Sequence, residues 1–274
     1  MKYLLIALLV LVWELLLIPE NLSAQQLSKD SLNKLIDQAP SFTIYKENYL
    51  ISGVPFNEKP SKYNSDIKFQ ISFKQRLTKT ILPFKSYLFL IYTQKTFWEV
   101  FRKSSPFGDS NYNPGFGLGK FLFKDNIQYA LVSISAEHES NGKDSIYSRS
   151  WNFISLNYMM FFKNKRLWIR TWYPFGYGDN ASLLDYIGYG ELSFYWNLKQ
   201  QRLKLNIIAR KGASTDLKKG SIQIGLFYRL FKFSNQYLYL QIYEGYAENL
   251  LYYNELTSKI RLGWAITPSK LIID

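Results

Sequence analysis

The chain has 274 residues, a net charge of +13 from 34 Lys and Arg against 21 Asp and Glu, one histidine and no cysteine. The lack of cysteine excludes structural disulfides and a lipid-modified N-terminal cysteine, and any chemistry that needs an imidazole base must use His138. Aromatic residues reach 18%, with 22 tyrosines, a level suited to side chains that sit between water and an apolar medium.

Residues 1–24 read as a secretory signal peptide: a positive start at Met1-Lys2, an apolar run over 4–18, and the small-residue end Leu22-Ser23-Ala24. An uncleaved membrane anchor is the rival reading. Glu14 inside the run and the A-x-A-like end favour cleavage. Residues 25–274 are then long enough for one all-β domain. Beyond residue 24 no segment approaches the roughly 18 uninterrupted apolar residues of a spanning helix. An exported chain of this kind is a secreted β protein or a membrane barrel. The basic balance, with pI near 9.5, suggests nucleic acid at first sight. The export signal and the scatter of Lys and Arg argue against it. Attraction to anionic lipid head groups explains the same charge, as does plain solubility.

From residue 41 onward, segments of alternating apolar and polar residues recur. The clearest is 66–74, where Ile67, Phe69, Ile71 and Phe73 alternate with Lys68, Gln70, Ser72 and Lys74. Others fall at 41–52, 86–101, 112–123, 127–138, 151–162, 166–176, 186–198, 201–210, 221–230, 236–247 and 257–268. These twelve segments predict a twelve-stranded antiparallel transmembrane β-barrel, an even count as single-chain bacterial barrels require. The connections alternate as well. Short turns at 124–126, 163–165, 199–200 and 231–235 interleave with longer loops at 53–65, 102–111, 139–150, 177–185, 211–220 and 248–256. Only 75–85 is long for its rim. Short turns on one rim and long loops on the other are the asymmetry of an outer-membrane barrel, with the long loops outside.

The most informative stretch runs from His138 to Asn152. Strand alternation puts Ala130, Val132, Ile134, Ala136 and His138 on one face, opposite Ser133, Ser135 and Glu137. Ser140 falls on the His138 face if the strand continues. After the 139–150 loop, Asn152 shares a face with Ile154, Leu156 and Tyr158. Hairpin pairing alone therefore brings His138 and Asn152 within hydrogen-bonding reach on the apolar outer side. A serine hydroxyl attacks poorly until a base takes its proton, and a base works best when a third group fixes its ring. His138 can be the base, Ser140 the nucleophile and Asn152 the orienting acceptor. H-x-S alone is a weak pattern, and an interfacial histidine followed by an Asn141-Gly142 turn accounts for it equally well.

The run His138-x-Ser140-Asn141-Gly142, followed by Ser148-Arg149-Ser150-Trp151-Asn152, resembles the signature of the outer-membrane phospholipase A family. Tyr92-Thr93-Gln94-Lys95, Ser104-Ser105-Pro106-Phe107, Asn111-Tyr112, Asp179-Asn180 and Tyr186-Ile187-Gly188-Tyr189 match its pattern in order. The resemblance implies a barrel that hydrolyses phospholipid acyl esters as a calcium-bound homodimer, with Ser140 as nucleophile, His138 as base and Asn152 as orienting residue. It implies an oxyanion donor at the Gly142 amide. It also implies calcium held by the Ser148 side chain, the Lys143 carbonyl and Ser104 of the partner subunit, with Asp179 as a further metal candidate. Lys143 stands where the family usually has arginine, and 270–274 lack the aromatic terminus typical of such barrels. Gln94 matches a residue the family buries between subunits; a lumen-facing strand residue is the plainer alternative. Two other classes stay open: a silent barrel with a channel or structural role, and a secreted basic β protein. The expected partners are membrane phospholipids and a second copy, not nucleic acid.

Overall fold

The computed structural model describes residues 28, 40–80, 82–198, 202–231 and 234–267, without the side chain of Asp179. The expected signal peptide and the chain end at 270–274 lie outside the described residues. The strands are β1 (Phe42–Ile44), β2 (Asn48–Pro55), β3 (Asp66–Arg76), β4 (Tyr87–Trp98), β5 (Phe107–Lys124), β6 (Ile127–Ser140) and β7 (Ser150–Phe161). They continue as β8 (Lys165–Phe175), β9 (Gly190–Leu198), β10 (Leu203–Lys211), β11 (Gly220–Tyr228), β12 (Gln236–Gly245) and β13 (Thr257–Ile266). Each strand from β2 to β13 pairs antiparallel with its neighbours in sequence, and β13 closes onto β2 from Lys259↔Pro55 to Ile266↔Asn48. The result is the closed barrel of twelve strands that the alternation predicts.

The expected first strand, 41–52, is broken into β1 and β2, which both pair with β3. Between them two extra residues bulge out. Ser72 holds the break: its backbone N–H donates to Asn48 Oδ1 at 2.6 Å and its hydroxyl accepts from the Lys46 N–H at 3.2 Å. Other departures are β5, which starts at Phe107 and not at 112, and 186–198, where β9 starts only at Gly190. The preceding residues form a short helix, α1 (Leu183–Ile187), with Leu183, Leu184 and Ile187 buried.

Strand parity sets two different surfaces. Leu50, Ile71, Leu90, Ile134, Leu156 and Leu262 point outward, each 42–54% exposed, and form the apolar band that lipid covers. The inward face is polar and densely paired. Arg261 bonds Asp66 and Glu248, and Lys68 bonds Glu248 at 2.8 Å. Glu248 lies in the loop 246–256, which folds back into the barrel mouth. Charges removed from water persist only when paired, so these ions sit where they meet partners of opposite sign. Above them Trp151, Phe153, Trp172, α1, Leu250 and Tyr253 form an aromatic cluster beneath the long loops.

Candidate active site

The β6–β7 hairpin builds the site by register alone. His138 lies opposite Asn152, Glu139 opposite Trp151 and Ser140 opposite Ser150. His138 Nδ1 and Asn152 Oδ1 are 2.8 Å apart. An amide oxygen only accepts, so Nδ1 carries the proton and Nε2 keeps the free lone pair a base needs. Asn113 fixes the same stretch of β6 by donating to the His138 carbonyl at 3.1 Å.

The residues flanking His138 explain why its partner is an amide. Glu137 and Glu139 point the opposite way. Glu137 bonds Arg170 at 2.6 Å and accepts from the hydroxyls of Ser135 and Ser155, each at 2.8 Å. Glu139 accepts from the Trp151 indole at 2.9 Å. Neither carboxylate reaches the outer face, so Asn152 is the acceptor the register offers to the ring. Ser140, the last residue of β6, lies two positions beyond His138 on the same side and pairs with both Tyr112 and Ser150. Among the described residues the His138–Asn152 bond is formed and a Ser140–His138 bond is not.

Beyond Ser140 the chain enters the loop 141–149. Gly142 has φ +65, a left-handed backbone that glycine adopts without a Cβ penalty. Asn141, which belongs to the run His138–Gly142, is buried and holds the whole loop. Its backbone N–H donates to the Arg149 carbonyl at 3.0 Å, and its Oδ1 accepts from the Arg149 N–H at 2.9 Å. Its Nδ2 donates to the Tyr147 carbonyl at 2.9 Å and to Asp109 Oδ1 at 3.3 Å. Asp109 Oδ2 in turn accepts from the Leu251 N–H at 3.0 Å. Asp109 thus ties the loop carrying Gly142 to the loop 246–256. No sequence spacing shows this, because the partners come from three distant segments.

The metal candidates fall in separate places. Lys143 and Ser148 share the loop 141–149, where Ser148 follows a 3-10 turn over Ser145–Tyr147. The Lys143 ammonium donates to the Gly108 carbonyl at 2.8 Å. Ser104 lies in the loop joining β4 to β5, with φ +65. Asp179 lies in a 3-10 turn, Gly178–Asn180, and its side chain is outside the described ones. Gln94 faces outward, not into the lumen. It accepts from the Tyr92 hydroxyl at 3.0 Å and donates to Thr96 at 3.3 Å. The register runs Gln94↔Tyr112↔Ser140, so Gln94 and the candidate nucleophile stand on one row of the outer surface.

Comparison with known proteins agrees with this geometry. The family model described as phospholipase A1 matches residues 25–266. Phospholipase A1 of Salmonella typhimurium is 31% identical over 252 residues, 84% of this chain and 84% of that protein. Phospholipase A1 of Escherichia coli K12 is 29% identical over 252 residues, again 84% of each. The crystal structure of the Salmonella typhi outer membrane phospholipase dimer with bound calcium has a TM-score of 0.75 at 27% identity, over 88% of this chain and 98% of that one. Outer membrane phospholipase A from Escherichia coli has a TM-score of 0.73 at 28% identity, over 83% and 99%. The barrel is that of the outer-membrane phospholipases, and the chain belongs to the phospholipase A1 family.

Proposed function

We propose that this outer-membrane phospholipase cleaves phospholipid acyl esters with Ser140, His138 and Asn152. The observation that carries the reading is the 2.8 Å His138–Asn152 bond on the lipid-facing side of the barrel, two register pairs from Ser140. In the first step Ser140 Oγ bonds to the ester carbonyl carbon while His138 Nε2 takes the hydroxyl proton. Asn152 Oδ1 holds the ring and stabilises the imidazolium as a dipole, less strongly than a carboxylate would. The Gly142 N–H is the donor to the developing oxyanion. His138 then gives its proton to the departing lysophospholipid oxygen, and water releases the fatty acid from Ser140 by the same base.

The donor set at this rim fits calcium. Among the described residues no cluster of three or more His, Asp or Glu is present. A cation here meets hydroxyl and carbonyl oxygens, the ligands of a hard ion at modest affinity. The Lys143 side chain is held by Gly108, so its main-chain carbonyl is what it has to offer. The proposed ligands are that carbonyl, the Ser148 hydroxyl, Asp179, and Ser104 of the partner subunit. When bound, the ion supplies positive charge beside the oxyanion. Gln94 and Ser104 belong to one hairpin, β4–β5, so a homodimer contact that covers Gln94 also carries Ser104 toward the second copy.

The test is Ser140→Ala in detergent-solubilised, heat-modifiable barrel, with fatty-acid release measured in excess calcium. Loss of about a thousandfold or more is expected. Retention of even a tenth of the activity in a folded preparation would assign another nucleophile, and a folded wild-type barrel that releases no fatty acid in excess calcium would be a silent one.

A further inference from the structure

The amide of Asn152 has two ends, and only one is explained by His138. The strand beyond Asn152 is β8, whose last residue, Phe175, is the register partner of Asn152. The chain leaves the sheet at the next residue, Gly176, with φ +59. A Cβ built on Gly176 falls 2.8 Å from Asn152 Nδ2 and 3.9 Å from Asn152 Cγ, and meets no other atom within 4 Å. Real Cβ atoms do not approach a heavy atom within 3.0 Å. The space above Gly176 is therefore closed to a side chain by one group only, the amide that orients the catalytic ring.

We infer that Gly176 is a positioning residue for this triad: its missing side chain lets the Asn152 amide lie with Oδ1 on His138. The inference rests on the catalytic roles proposed above. With a methyl at 176 the amide has two escapes. It can swing away from β8, which breaks or bends the 2.8 Å bond to the ring. It can also turn over, exchanging Nδ2 for the smaller oxygen on the β8 side. Then an N–H donor faces His138 Nδ1, which must become the acceptor, and the ring proton moves to Nε2. A protonated Nε2 cannot take the Ser140 proton, so the imidazole is present but in the wrong tautomer. Both escapes weaken the base without removing any catalytic group.

Gly176→Ala is expected to lower kcat about tenfold to a hundredfold with KM for a dispersed phospholipid unchanged, since misplacement of about 1 Å carries losses of that size. The positive φ strains any L-residue at this position, so the variant must be separated from a folding defect. Two further variants do this. Gly178→Ala, in the same loop, adds a Cβ with nothing within 4 Å and should keep full activity. In an Asn152→Ala background there is no amide to displace, so adding Gly176→Ala should cost nothing more. Labelling of Ser140 by an alkyl fluorophosphonate, scored at equal heat-modifiable yield, gives a rate for each variant even where turnover is too slow to follow. Full activity of Gly176→Ala, or an undiminished loss when it is added to Asn152→Ala, overturns the inference. Ser140→Ala that still hydrolyses lipid would instead overturn the triad itself.

Discussion

At the scale of single residues, the outcome turns on parity. In β6 the consecutive residues Glu137 and His138 do opposite jobs because a strand sends alternate side chains to opposite faces. Glu137 is buried with Arg170 and the hydroxyls of Ser135 and Ser155. His138 stands outside with Asn152. Substitution at each should then produce a different phenotype. Glu137→Ala leaves Arg170 buried with no ion partner, a change that costs on the order of 3–5 kcal/mol in folded proteins. It should lower the temperature at which the barrel loses heat-modifiable migration, while the molecules that stay folded keep most of their hydrolysis rate. Asn152→Ala should do the reverse, with unchanged thermal migration and a rate reduced by about tenfold to a hundredfold. An Asn152→Ala barrel that melts early with full specific activity would show that this amide serves the fold.

At the scale of elements, the loop 246–256 is the least expected part. It enters the barrel mouth, where Glu248 bonds Lys68 and Arg261 below and Leu250 and Leu251 bond Asn111 and Asp109 above. Burial by itself raises the Glu248 carboxyl, but Arg261 and Lys68 beside it hold it well below the usual carboxylate range. A depressed carboxyl contributes stability that is complete above its unfolded value, about 4.3, and is lost as pH falls from there toward the folded value. The loop should therefore resist protease equally from neutral pH down to about 5, and loosen only in stronger acid. Glu248→Gln should be cut faster at neutral pH and show a weaker acid response. An unchanged acid response would place the anchor elsewhere. The strands themselves were legible in the sequence because period-2 alternation records which face meets lipid. Ile67 to Lys74 displays that pattern over most of β3 (Asp66–Arg76). The helix α1 and the loop 246–256 carry no such period: Leu183, Leu184, Ile187 and Leu250 are apolar because they meet Trp151 and Trp172 across the barrel mouth. Asp109 and Gly176 carry no sequence signal for the same reason. Their meaning lies in atoms contributed by remote segments, whereas His138, Ser140 and Asn152 are joined by one hairpin.

At the scale of the whole molecule, the outer surface joins two events. Gln94, Tyr112 and Ser140 share a row across three strands, and the loop bearing Ser104 continues from the strand that carries Gln94. In hydrocarbon the polar pair Tyr92 and Gln94 would gain from a polar partner more than from lipid, so the homodimer proposed above would meet on this row. A calcium site that takes Ser148 from one copy and Ser104 of the partner subunit exists only in the dimer. A ligand that binds one state alone stabilises it by mass action, by about 2.7 kcal/mol at a hundred times its dissociation constant. That is a shift of about a hundredfold in the dimerisation constant. Cross-linking yield in detergent should rise with calcium over the same concentrations that activate hydrolysis, and EDTA should lower both together. Gln94→Ala should shift both curves to higher calcium and leave the maximal rate per dimer intact. Ser148→Ala should weaken calcium activation while cross-linking in its absence stays at the wild-type level. Full calcium-independent activity in a strictly monomeric preparation would break the link, and would mean that one barrel completes the site alone.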